Sequence, residues 1–228
     1  SIGGSAFSSC SGLLDIRIRS GVTSIGRFAF YNCSGLTEVI WNAENCTSAG
    51  SSNSPMFKNC ANLTSITIGD NVKTIPSYAF SGCSGLTSIT IPDSVTSIGF
   101  AMFRECRRLE SITLPFIGAE LNGTKNTHFG YVFGASSYSD NSEYVPSSLK
   151  TVIISNNSGI TSIGEYAFYR CSRLTSVTIP NSVTSIGGNA FSRCTGFASI
   201  TIPDSVTSIG DSAFRNCSGL ESITLPFI

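Results

Sequence analysis

Residues 86–108 read LTSITIPDSVTSIGFAMFRECRR, and this stretch decides the fold. Leu86, Ile89 and Ile91 stand in a β-rich segment, where Ile89 and Ile91 share a face through the two-residue alternation of a strand. Pro92 lacks an N–H and stops that strand. Val95 and Ile98 form a second short β-branched segment, and Gly99 suits a turn with unusual dihedrals. The Phe-x-x-Cys that follows has the apolar spacing of one helical turn. The same pattern opens at Leu13, Leu36, Leu63, Leu86, Leu109, Leu149, Leu174, Phe197 and Leu220. Successive openings lie 23, 27, 23, 23, 40, 25, 23 and 23 residues apart. A unit of this size cannot bury its apolar side alone. Stacked on its neighbours at about 4.8 Å, it turns each apolar position into a continuous column. The expected architecture is a repeat solenoid over residues 1–228, a single domain of 23-residue coils with parallel short strands and short helical turns.

The recurring pattern LxxIxIPxSVTSIGxxAFxxC resembles the BspA-like leucine-rich repeats, also called the Treponema pallidum type. The resemblance covers almost the whole chain outside residues 116–148. It implies a right-handed leucine-rich-repeat arc, and an extracellular or cell-surface setting in host-associated bacteria, with no signal peptide inside this chain. Members of the family act as adhesins, which implies a host or neighbouring-cell protein or glycan as partner. No catalytic residue belongs to the family pattern. The departures from it are Pro76 at the turn glycine, Met56 and Met102 at the alanine, and Phe197 at the leucine. All four are expected to be tolerated as size changes in a core.

Eight cysteines, Cys10, Cys33, Cys60, Cys83, Cys106, Cys171, Cys194 and Cys217, share one repeat position. Zinc needs close pairs, which this spacing does not supply. Side chains in a column run parallel rather than towards one another, so reduced, buried thiols acting as small hydrophobes are expected. Cys46 is off-register and expected to differ in exposure.

Composition removes other functions. The 14 basic and 14 acidic side chains cancel, and only 12% of residues are charged. That leaves no electrostatic footprint for nucleic acid. No apolar run is long enough to span a bilayer. His128 is the only histidine, no phosphate-binding glycine loop is present, and no cofactor is expected. Asp140-Asn141-Ser142-Glu143 lacks the framework of a calcium loop and reads as a solvated loop tip. The chain is not expected to be an enzyme.

Two surfaces remain for recognition. One is the outward side of the main strands, with a threonine column through Thr67, Thr90, Thr113, Thr178, Thr201 and Thr224 that reads as cross-strand packing. The other is the insertion at 116–148, too long for an ordinary loop and too aromatic for a disordered linker. It reads equally as a structural flap and as a binding element. Phe116, Phe129 and Phe133 are expected inward, Tyr138, Asp140 and Tyr144 outward. With His128, and with Arg104, Arg107 and Arg108 for an acidic group, these three form the set of candidate partner contacts. The preferred reading is a non-enzymatic interaction domain; the alternative is a spacer with no ligand. The chain begins and ends in mid-repeat, and ESITLPFI occurs at both 110–117 and 221–228. The parent chain is therefore expected to continue, and uncovered ends to associate end to end.

Overall fold

The computed structural model describes residues 1–226; Phe227 and Ile228, which close the second ESITLPFI, lie outside the described residues. The chain winds as a parallel-stranded leucine-rich-repeat solenoid. Nine front strands follow one another at Asp15–Ile18, Glu38–Trp41, Ser65–Ile68, Ser88–Thr90, Ser111–Leu114, Thr151–Ile154, Ser176–Thr178, Ser199–Thr201 and Ser222–Thr224. Ile89 pairs with Ile112, and Ile112 with Val152, so the inward residues register coil on coil. The flanking Ser and Thr point outward. Two-residue strands such as Thr74–Ile75 and Ser97–Ile98 form a second parallel tier.

The third tier, around Ala-Phe-x-x-Cys, is not helical. Alternate residues there cross to the next coil, as Tyr78, Phe80 and Gly82 donate to the carbonyls of Phe100, Met102 and Arg104 at 3.1, 3.0 and 2.7 Å. The residues between them, Ala79, Ser81 and Cys83, close turns onto the carbonyl three positions back. Tyr78 and Gly82 sit at φ 61° and 79°, and the same left-handed pair recurs at Tyr166 and Arg170. A bulky side chain in that region is strained, by about 1–3 kcal/mol per residue. The bond each such N–H makes across coils helps hold it there. Apolar spacing alone cannot tell this zigzag from a helical turn.

The turn glycine also has a different reason from the one expected. Gly26, Gly99 and Gly210 have ordinary φ, but a Cβ on any of them would run into backbone of the preceding coil, at Gly4, Ser77 and Gly188. Close approach, not dihedral freedom, requires glycine there.

One contiguous apolar cluster fills the interior. Its spine is a stack of rings, Phe7–Phe30–Phe57 and then Phe80–Phe103, with Phe168–Phe191–Phe214 further along. The outermost members are not enclosed: Phe7 is 43% exposed and Phe214 half-buried, because each has a described coil on one side only. The register cysteines do more than fill space. Cys33, Cys60, Cys106, Cys194 and Cys217 donate their S–H to the carbonyls of Phe7, Phe30, Phe80, Phe168 and Phe191, one coil back, at 3.0–3.3 Å. Exposure also differs from expectation. Cys46 is buried and Cys10 is exposed, because Cys46 folds inward onto the Ser48 carbonyl while Cys10 lies in the first coil.

The front ladder is interrupted twice. Ser65–Ile68 does not pair with Ser88–Thr90, nor Ser176–Thr178 with Ser199–Thr201. At the second gap, Phe197 occupies the leucine position and packs edge-on against Phe191 at 6.0 Å. The larger ring is accommodated fully buried in the core, beside the unpaired front strands.

The insertion carries all the helical segments among the described residues: 3-10 turns at Phe129–Phe133 and Tyr138–Asp140, and one α-turn at Asn141–Tyr144. It continues the core rather than lying over it. Phe133 packs on Phe103 and Phe129 on Phe168, at 6.4 and 5.1 Å, and the two rings meet at 5.3 Å. Phe116, Phe129 and Phe133 are all buried.

Candidate interaction surface

The insertion is fixed to the solenoid by Asn141, a fully buried amide. Its Oδ1 accepts from the Gly130 N–H at 2.9 Å and lies 3.2 Å from His128 Nδ1. Its Nδ2 donates to the Tyr169 and Ala167 carbonyls of the following coil at 3.0 and 3.5 Å. Every polar atom of the side chain is used, so the segment expected to be a solvated tip is a structural lock. His128 does not reach the surface: it is 6% exposed and packs edge-on against Tyr131. Desolvation pushes its pKa below the usual histidine value, partly offset by the Asn141 bond and by Asp140 nearby. Histidine at 128 therefore belongs to the flap's seat, not to its outer face.

Locked in this way, the insertion forms an open cleft of about 390 Å³ with the turn at 104–107. Arg104, Glu105 and Arg107 supply one wall; Ser142, Glu143, Tyr144, Val145, Pro146 and Ser147 supply the other, over Phe133. Next to Phe133 the chain turns at Gly134, whose φ of 103° is a conformation that favours glycine. Arg104 is half-buried, while Arg107 and Tyr144 are exposed. Among the described residues neither guanidinium meets an acceptor within the chain. A planar donor fork beside an aromatic ring suits a carboxylate or another oxyanion. Glu105 and Glu143 also line the cleft and make it mixed in sign. The run of arginines at 104–108 hides the first of them, and the second lies 38 positions further along the chain. Arg108 is exposed and does not line the cleft.

Tyr138 lies elsewhere. Its ring stacks on Tyr166 at 4.0 Å and meets Tyr169 edge-on at 5.6 Å, leaving it 40% exposed. Asp140 is half-buried and accepts from the Ser139 hydroxyl at 3.0 Å. Tyr138 and Asp140 therefore do not share a site with Tyr144. Tyr166 and Tyr169 carried a signal that composition of the loop alone hides: both stand in a repeat, at positions held in the next coil by Asn189 and Ser192.

Among the described residues no group of three or more His, Cys, Asp or Glu is gathered to hold a metal ion, and no helix is long and apolar enough to cross a membrane. Burial pushes the core thiols away from reactivity; Cys60 and Cys106 are raised to about 12.

The sequence matches a family described as the BspA type leucine rich repeat region, in six copies spanning residues 1–54, 52–129 and 139–227. No curated protein matches it. Among solved structures, it is similar to a leucine-rich repeat protein from Bacteroides ovatus, at 22% identity over 99% of this chain and 76% of that one, with a TM-score of 0.52. A leucine rich cell surface protein from Faecalibacterium prausnitzii is 28% identical over 97% and 70%, at a TM-score of 0.40. The leucine rich repeat protein of T. pallidum is 21% identical over 91% and 78%, at 0.41. Repeat solenoids of this kind are typically non-catalytic scaffolds for protein–protein interaction. With the repeat pattern, the parallel ladders and the family match running along nearly its whole length, the chain belongs to the BspA-type leucine-rich repeat family.

Proposed function

We propose that this chain is a non-enzymatic, adhesin-like interaction domain of a bacterial surface or secreted protein, one solenoid interrupted by the flap at 116–148. It would bind a partner protein of a host or neighbouring cell by an acidic side chain set between Arg104 and Arg107 and flanked by Tyr144. The observation that carries this reading is the cleft itself, assembled from a repeat turn and the insertion around two guanidiniums without internal acceptors among the described residues. Arginine and tyrosine are the residues that dominate protein interfaces. Removing the whole insertion would not test it, because Phe129 and Phe133 belong to the ring stack. Point changes do. Arg104→Ala with Arg107→Ala should abolish binding to arrayed acidic peptides and to immobilised matrix protein, at an unchanged melting temperature. Equal binding by this variant and the native chain would remove the cleft from the proposal.

A spacer role is favoured by one feature. From Ser176 to Thr224 the outward front positions repeat as Ser-x-Thr in three strands. If no acidic ligand is bound by the native chain either, the spacer reading stands.

A further inference from the structure

Bonds between coils fail together at one place. The chain from Ser48 to Ile68 makes a full turn, and no backbone bond joins it to the next turn among the described residues. In the second tier Ser48–Ala49 pairs back to Ser24–Ile25 but not forward to Thr74–Ile75. In the third tier Phe30 and Asn32 donate to the Met56 and Lys58 carbonyls, whereas Phe57 and Asn59 donate to no carbonyl of the next coil. In front, Ser65–Ile68 and Ser88–Thr90 face each other across a cleft of about 420 Å³. The ring stack also lapses between Phe57 and Phe80, and Cys83 lacks the thiol bond that Cys60 and Cys106 make.

Three residues account for the gap. Gly26, Gly50, Gly99, Gly187 and Gly210 each donate their N–H to the preceding coil; the residue in that position here is Pro76, which has no N–H. Its ring also places a Cβ where the other glycines show there is no room. Ser5, Tyr78, Tyr166 and Asn189 each donate forward in the third tier; the corresponding residue here is Pro55. Trp41 then enters the interior and meets Phe80 edge-on at 5.3 Å, with Nε1 buried and unpartnered. The coils still touch, most tightly at Gly85 and more loosely at Gly82, where a Cβ would lie 3.8 Å from Lys58 Cα. A Cβ on Gly85 would lie 2.8 Å from the Leu63 carbonyl oxygen and would collide with that of Ala61.

We infer that this joint is a hinge, with the Gly85 contact as its pivot, about which residues before and after it move as two blocks. The gap at Phe197 is the contrast: there only the front tier opens, and Thr207, Gly210 and Phe191 keep the other tiers bonded across coils. Bending at the hinge changes the curvature of the front face without breaking a single backbone bond. Aromatic stacking elsewhere in the core stays intact.

Trp41 is the only tryptophan, so its emission reports on this joint alone. In native-state hydrogen exchange the amides of Phe57, Asn59, Thr87 and Ser88 should exchange roughly tenfold or more faster than those of Phe80, Gly82, Glu110 and Ser111, their equivalents one coil on. In urea, the Trp41 emission shift should precede the loss of far-ultraviolet circular dichroism. Pro55→Ser with Pro76→Gly should bring the two transitions together and slow exchange of the four joint amides. Equal protection of the two sets of amides in the native chain would overturn the proposal, as would coincident transitions. So would a folded double variant whose joint exchanges as fast as before.

Discussion

Phe80 is buried on every side, between Phe103 and the indole of Trp41. Phe80→Ala should cost about 3–5 kcal/mol in urea denaturation, while Phe7→Ala, at a half-open position, should cost much less. Cysteine shows a parallel difference. Thiol labelling at neutral pH should modify Cys10 first and Cys217 next, leaving Cys46 and the central thiols intact; rapid loss of Cys46 would contradict its burial. Much at this scale was legible, because a residue repeated in one register announces a column. What repetition could not reveal is which partner the residue meets. The S–H bonds of five register cysteines to the phenylalanine carbonyl one coil back join positions 26–30 apart, and only stacking brings them together.

At the scale of the element, the front strands and their proline stops followed directly from alternation, since inward isoleucine and outward hydroxyl are set by two-residue periodicity. The insertion was half legible: three phenylalanines had to be buried, but Asn141 sat among polar neighbours that concealed its role. Its partner His128 makes the flap pH-sensitive. Burial lowers the folded-state pKa below the unfolded value of about 6.5, so the unfolded chain binds the proton more readily. The stabilising contribution is therefore full above about pH 6.5 and is lost as pH falls from there towards the folded pKa. Melting measured from pH 8 to pH 5 should show this loss, and His128→Gln should flatten it. Asn141→Ala, by stranding the Gly130 N–H and the Tyr169 carbonyl, should cost about 1–3 kcal/mol per unpaired buried group. The front-tier gap has its own test: Phe197→Leu should restore protection to the Ala198 and Ser199 amides.

The whole molecule is held by apolar columns and uncharged ladders, with charge at only 12% of residues. Raising sodium chloride from about 20 mM to 1 M, which shortens the screening length several-fold, should therefore leave the thermal midpoint nearly unchanged, and a large shift would point to an ion-pair network. The architecture was readable at this scale because one period runs through the chain. The hinge was not, since Pro55 and Pro76 look like ordinary variation until the bonds they omit are traced coil to coil. The ladders hold a further consequence. Away from the hinge, each coil bonds only to the coils before and after it, in a constant register, so a segment one period long can be duplicated or lost and its neighbours will join as before. The coil, rather than the single residue, is thus the natural unit of inheritance in this molecule. Unequal recombination between near-identical repeats would lengthen or shorten the arc at almost no cost, provided the seam avoids Trp41 and its two prolines.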